Sequence, residues 1–348
     1  MKITYIALDP LKYPRIRKIA CTLKNYPGVE FHVMIPRIKV FLGGSIIKRI
    51  ISAFINYTLI ILQIFFIRSD IFWVANCPDI LTIPLIFRKK HYILEYRSPW
   101  AIEVAKEFGG GPWLYISNFF ERLALKYAWI ITLTTSKLYE RVKGFGKHTF
   151  VIPNYPLKSF GDKVVPRKIF RTQHGCDKKS KIVLFVGKLS RVEGADLLPS
   201  IMEKVLKEEE SAIFWIVGDG PLFPQLMDFA KRFPRRVVLF GWQEYTQIPN
   251  FIAAADVCIV PRHTSSYSIF YNEEGLHKIS EYMFFEKPIV ACGIAESSEY
   301  MLVDEDDMAD GILMALRGKV SPSKRRTWED YSEKKIYEML NLIYSGRI

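Results

Sequence analysis

Three apolar runs in the second half of the chain stop directly on glycine. Ile182–Phe185 leads into Val186-Gly187-Lys188, Ala212–Ile216 into Val217-Gly218-Asp219-Gly220, and Val237–Phe240 into Gly241-Trp242. A short run without polar alternation suits a strand buried on both faces, and glycine lets the chain turn at once toward a helix. Helix-like stretches follow at Asp196–Glu208 and Leu222–Phe233. In the first half, Ile3–Leu8, Glu30–Ile35 and Ile71–Ala75 read as strands and Arg15–Lys24 as a helix. Alternation at this pitch predicts an α/β fold of parallel sheets with helices on both faces. A chain of 348 residues exceeds what one hydrophobic core usually supports, so two Rossmann-like domains are expected. The first would span 1–155 and the second 181–324, with 156–180 as a linker opening near Pro153-Asn154-Tyr155-Pro156. Thr327–Ile343 reads as an amphipathic helix.

Composition narrows the function classes. At 49% hydrophobic and 24% charged, the chain is neither disordered nor repeat-built. Its five cysteines (Cys21, Cys77, Cys176, Cys258, Cys292) are scattered without a C-x-x-C pair, which argues for reduced thiols and against a disulfide framework or zinc site. The start, MKITYIALDP, lacks a signal-peptide layout, so a cytoplasmic location is expected. The net charge of +13 is uneven: residues 1–175 hold 27 Lys and Arg against 10 Asp and Glu, whereas 176–348 hold 22 against 26. A basic first half suits an anionic surface or small molecule. No nucleic-acid partner is expected. A peripheral seat on an anionic membrane is, with Lys48, Arg49, Arg88, Lys89 and Lys90 as contacts beside apolar stretches.

Ile50–Ile67 runs 18 residues without a charge, long enough to raise a membrane span. Ser45, Arg49, Ser52, Asn56 and Gln63 fall at spacings that draw one polar stripe along a helix. A mostly buried domain helix is therefore expected, with a helix lying on a membrane surface as the alternative.

In a doubly wound sheet, glycine turns at the carboxyl ends of strands are where ligands bind, and their backbone N–H groups can approach a phosphate. A nicotinamide or flavin enzyme is excluded because VGDGPL places Phe223 where G-x-G-x-x-G needs its third glycine. More specific is Asn272-Glu273-Glu274-Gly275-Leu276-His277-Lys278-Ile279-Ser280-Glu281-Tyr282-Met283, continued by Glu286-Lys287-Pro288-Ile289-Val290. Glu273 and Glu281 frame an E-x7-E pattern, and VGKLSRVEGADLL, IVGDGPL, LFGW and AAADVCIVP stand before it in order. Together these resemble the family 4 retaining glycosyltransferases of GT-B fold, over nearly the whole chain and most strongly from Lys181 to Val303.

The resemblance implies two domains facing across a cleft, with the carboxyl-terminal helix (325–348) crossing back to the first. It implies metal-independent, retaining transfer of a sugar from a UDP- or GDP-linked donor to a glycan or lipid-linked acceptor, with no bound cofactor. Glu281 would accept from the ribose hydroxyls, Glu273 would hold the transferred sugar, and Lys188 would meet the diphosphate. Donor contacts would come from Gly187, Gly218, Gly241, Gly275, Leu276, His277 and Lys278, with amides before the Lys278 helix cradling the distal phosphate. The chain departs from the family at Glu193, where a second cation usually stands; Arg191 or Lys278 would take its place. Glu273-Glu274-Gly275-Leu276 replaces the usual E-G-F-G. Asp9-Pro10 stands where a Gly-Gly loop is usual, Gly43-Gly44 lying too far on. Glu95, Arg97 and Ser98 are the acceptor-side candidates. His263 and His277 flank the donor loop, and Asp304-Glu305-Asp306-Asp307 reads as a solvated acidic turn that opens a helix or fills a loop rather than a metal site. The alternatives are an accessory subunit that has lost catalysis and a nucleotide-sugar epimerase.

Overall fold

Each apolar run becomes a strand in the computed structural model, which describes residues 1–8, 14–36, 46–76, 78–103 and 111–348. The Asp9-Pro10 and Gly43-Gly44 readings, Ser45, Cys77 and the Arg49 side chain lie outside the described residues. The chain divides into two units, Met1–Pro153 with Ser332–Ile348, and Asn154–Tyr331.

The first unit is built on β1 (Lys2–Ile6), β2 (Glu30–Val33), β3 (Ile71–Ala75), β4 (Tyr92–Tyr96), β5 (Ile130–Leu133) and β6 (His148–Val151). These pair in parallel in the order β2-β1-β3-β4-β5-β6. Its helices are α1 (Pro14–Lys24), α2 (Ile46–Phe66), α3 (Ile83–Phe87), α4 (Pro112–Tyr127) and α5 (Tyr139–Val142). β3 and β4 are buried along their whole length, as expected of parallel strands covered on both faces.

The second unit starts with α6 (Arg167–Gln173), inside the stretch expected as a linker. That stretch is packed rather than extended: Phe170 sits edge-on to Trp215 and Phe251, and Arg171 donates to the Ala254 carbonyl at 2.6 Å. Its strands are β7 (Lys181–Val186), β8 (Ala212–Val217), β9 (Val237–Gly241), β10 (Val257–Pro261), β11 (Ile289–Cys292) and β12 (Met301–Leu302), ordered β12-β11-β10-β7-β8-β9. The helices are α7 (Leu198–Glu208), α8 (Phe223–Ala230), α9 (Ile248–Ala254), α10 (His277–Phe284) and α11 (Met308–Leu316). One core under α7 and α11 gathers Val183, Phe185, Phe214 and Ile312; the opposite face gathers Leu184, Trp215, Ile279 and Tyr282.

The carboxyl-terminal helix, α12 (Ser332–Tyr344), starts five residues later than the apolar pattern suggests. Trp328 is fully buried in the second unit, and its N–H donates to the Pro156 carbonyl. Helix α12 then belongs to the first unit, where Ser332 donates to the Pro153 carbonyl at 2.7 Å and Tyr344 to the Gly28 carbonyl at 2.9 Å.

Candidate functional site

Strand order in the second sheet reverses between β7 and β10, and ligands of open α/β sheets bind at the carboxyl ends flanking such a point. The loop after β7 carries Lys188 and Glu193; Arg262 directly follows β10. Adjacent strand ends bring these loops together. Glu193 lies 2.9 Å from Arg262 through one carboxylate oxygen, and its other oxygen lies 2.6 Å from Lys278 Nζ at the start of α10. Arg262 stacks on Tyr271 and Lys278 on Phe185, so both cations are packed as well as paired. Burial would raise the Glu193 carboxyl, but Lys278 and Arg262 outweigh it and hold it down to about 2. Burial pulls the Lys278 ammonium below the usual lysine range, against the opposing pull of Glu193.

This cluster revises the expectation for the missing cation. Arg191 is exposed and lies 3.4 Å from Asp196. The guanidinium beside Glu193 belongs to Arg262, which sequence reasoning passed over. Its signal was the end of AAADVCIVP, one residue short of Arg262.

Helix α10 is tied to the end of β7, where Tyr282 accepts from the Val186 amide at 3.0 Å. That connection fixes the helix carrying Lys278 and Glu281. Glu281 accepts from the Tyr245 hydroxyl at 3.0 Å and remains slightly exposed. Glu273 is nearly buried, its Oε2 has no hydrogen-bond partner among the described residues, and burial raises its carboxyl. Arg326, also missed from sequence, lies 4.0 Å from Glu273 and is held by Glu299 and Tyr155.

The glycine turns do something other than expected. The amide of Gly187 donates to the Val217 carbonyl and that of Gly218 to the Gly241 carbonyl, so both are committed within the sheet edge instead of facing a phosphate. Their glycine identity is steric. A Cβ on Gly218 would fall 1.8 Å from the Gly187 carbonyl oxygen, and one on Gly187 would crowd Lys278 Nζ at 3.0 Å. Similarly, the amides of Glu274, Gly275 and Leu276 turn back onto Asn272, so the cradle expected before α10 is closed upon itself. His277 opens α10.

Val186, Gly187, Lys188, Gly218, Trp242 and Gln243 line a cavity of about 320 Å³. Lys188 is exposed there, and Trp242 keeps 66% of its surface exposed, offering a flat ring beside the glycine loops. A larger depression of about 810 Å³ lies around the amino-terminal ends of β10 and β11, but its Lys287 ammonium already donates to the Ala253 and Ala255 carbonyls.

The acidic turn is only partly solvated. Glu305 accepts from the Thr264 amide at 2.7 Å and pairs with His263, whose other ring nitrogen meets Asp196. His263 is thereby an anchor of the loop after β10. Burial lowers its imidazole pKa, but Asp196 and Glu305 outweigh burial and raise it. Among the described residues, no group of three or more His, Cys, Asp or Glu side chains could hold a metal ion.

In the first unit, Glu95 is fully buried and bonded to Tyr5, Arg15 and Arg97, so it braces the end of β4 and cannot form a wall that an acceptor touches. Arg97 keeps 17% exposure, and Ser98 donates to Glu103 at 3.1 Å.

Residues 180–318 match the family described as Glycosyl transferases group 1. The second unit carries a group 1 glycosyl transferase domain. Alpha-D-kanosaminyltransferase from Streptomyces kanamyceticus is 27% identical over 132 residues, 37% of this chain and 32% of that protein. The match thus spans about a third of the relative's length. Sucrose-phosphate synthase from Thermosynechococcus elongatus shares the fold at a TM-score of 0.71 and 14% identity, over 99% of this chain and 100% of that one. HepE from Anabaena, solved with UDP-glucose, does so at 0.66 and 16%, over 98% and 100%. At these identities the likeness is one of fold, the GT-B arrangement of two parallel six-stranded sheets. The group 1 domain includes the glycine turns, the Glu193 cluster and the E-x7-E helix.

Proposed function

We propose that the protein transfers a sugar from a nucleotide-sugar donor bound at its group 1 domain to a glycan or lipid-linked acceptor. The observation that carries this reading is the gathering of Arg262 and Lys278 around Glu193 at the carboxyl edge of the second sheet, with Lys188 in the loop after β7 and Glu281 on the helix of Lys278. Departure of a nucleoside diphosphate develops negative charge, and preplaced cations in a partly buried site stabilise it. Lys188, Lys278 and Arg262 supply that charge. Glu193 holds the last two in position before the donor arrives. Glu281 takes the ribose hydroxyls with a charge-assisted bond, and Glu273, with one oxygen unpartnered among the described residues, takes the hydroxyls of the transferred sugar. The Trp242 ring offers the base a stacking face. Transfer proceeds with retention and without a metal, and the donor is UDP- or GDP-linked; HepE, which shares the fold, supports the former by its complex with UDP-glucose.

Calorimetry with UDP and with GDP tests the donor site. Glu281→Ala is expected to weaken binding by about 1.5–3 kcal/mol, the range for a hydrogen bond to a charged group. Unchanged affinity in a folded variant sinks the assignment. Nucleoside diphosphate release that depends on acceptor supports transfer. Release without acceptor indicates epimerase or hydrolase chemistry, and no release with any donor indicates an accessory role.

A further inference from the structure

Helix α2 buries Ile60 and Ile64 as a domain helix does, but the face it shows to solvent is apolar as well. Its exposed stripe is Ile51, Phe54, Thr58, Leu62 and Phe65, at spacings of three, four, four and three, and four of those five side chains are apolar. Phe54 is 72% exposed, and Phe66, at the helix end, 83%. The polar residues turn the other way: Ser52 is buried, and Gln63 donates to the Ile35 carbonyl at 3.1 Å. A face that water would disfavour is therefore displayed while polar groups are spent inward.

The display is held in place. Arg88 donates through Nη1 to the Ile64 carbonyl and through Nη2 to the Ile67 carbonyl, both at 2.8 Å, which ties the turn after α3 to the end of α2. That turn exposes Phe87 beside Lys89 and Lys90. Lys48 and Arg68 are exposed at the two ends of α2. No acidic residue occurs between Glu30 and Asp70, and Asp79, between α2 and β4, is buried. Right-handed crossovers put α2, α3 and α4 on one face of the first sheet, and α4 adds exposed Tyr115, Ile116 and Phe119. Among the described residues no helix is long and apolar enough to cross a membrane.

We propose that this face of the first unit seats on an anionic lipid surface, with the α2 side chains entering the headgroup boundary and the lysines meeting lipid charge. Apolar side chains on one helix face with a basic, acid-free margin are what an interfacial helix needs. Each lysine near anionic lipid adds about 1 kcal/mol, so several give reversible binding. Arg88 is not one of these contacts, because it is used to cap α2. The surface does not depend on the donor-site reading.

Flotation of the full chain with phosphatidylcholine vesicles, alone and mixed with phosphatidylglycerol, is the test. Binding is expected to the mixed vesicles and to fall as salt rises. Lys89→Glu with Lys90→Glu should lower partitioning at least about tenfold. Phe54→Ser with Leu62→Ser should lower it comparably, and both variants should keep the parent's thermal transition and its UDP affinity. Absence of flotation with anionic vesicles at low salt overturns the proposal, as does flotation that neither variant changes. Equal binding to neutral vesicles overturns the role of the lysines. If Phe54→Ser with Leu62→Ser instead abolishes a dimer seen by light scattering without lipid, the face is a contact between copies and the proposal fails.

Discussion

A carboxylate set between Lys278 and Arg262 offsets the repulsion that two neighbouring buried cations would otherwise feel. Glu193→Gln removes that charge and leaves both cations without their anion, at an expected cost of roughly 3 kcal/mol. The cost should shrink when a nucleoside diphosphate supplies the missing charge. UDP should therefore raise the melting temperature of Glu193→Gln more than that of the parent. An equal ligand-induced shift in both would show that the phosphate does not reach this pair. Turnover separates the candidate cations: Arg262→Ala should lower kcat by at least about tenfold, while Arg191→Ala, on an exposed side chain, should change it little. The reverse ranking would restore Arg191 to the site. The family resemblance singled out Lys188, Lys278, Glu273 and Glu281 by their places in VGKLSRVEG and the E-x7-E run, and the structure sets Lys278 and Glu281 on one helix. Sequence reasoning missed Arg262 and Arg326 because no local pattern marks an arginine that acts through neighbours distant in the chain.

Strands and glycine turns were legible because a parallel strand buried on both faces must be apolar throughout, and the turn after it must be short. Ile71–Ala75 and Ala212–Val217 fall where the apolar runs placed them. What glycine does in those turns was not legible, since the reason at Gly218 is a carbonyl arriving from another loop. Gly218→Ala should lose about 3 kcal/mol or more, from backbone strain at a φ of +139° together with the clash on Gly187. Urea denaturation measures this, and a loss below about 1 kcal/mol, the usual effect of a surface change, would mean the two loops separate easily. Helix α2 shows the limit of periodicity from the other side. Its polar stripe was visible, but a stripe fixes only which residues share a face. Which face meets water depends on neighbours such as Ile35 and Arg88.

Across the molecule, buried carboxyls pull stability in opposite directions with pH. Burial raises Glu95, but Arg97, Arg15 and Tyr5 outweigh it and hold it down to about 2, as Lys278 and Arg262 do for Glu193. Each folded value lies below the ordinary 4.5, so each contributes stability that is present above that value and lost as pH falls toward 2. Asp79 behaves oppositely. Both its carboxylate oxygens are buried without a hydrogen-bond partner among the described residues, and burial, with Glu121 adding to it, raises the group from 3.8 to about 8. The folded chain then binds that proton more tightly than the unfolded chain does. Stability linked to Asp79 is complete below about 3.8 and declines as pH rises to about 8. Asp79→Asn removes the titration while keeping the side chain's shape. It should stabilise the protein by an amount that grows with pH, from little near pH 4 to on the order of 6 kcal/mol at pH 9. Urea unfolding at pH 5, 7 and 9, followed by tryptophan fluorescence, measures the gain. A gain of equal size at pH 5 and 9 would mean that Asp79 does not titrate in this range. A loss of stability at pH 9 would mean that its ionised form has a partner in solution.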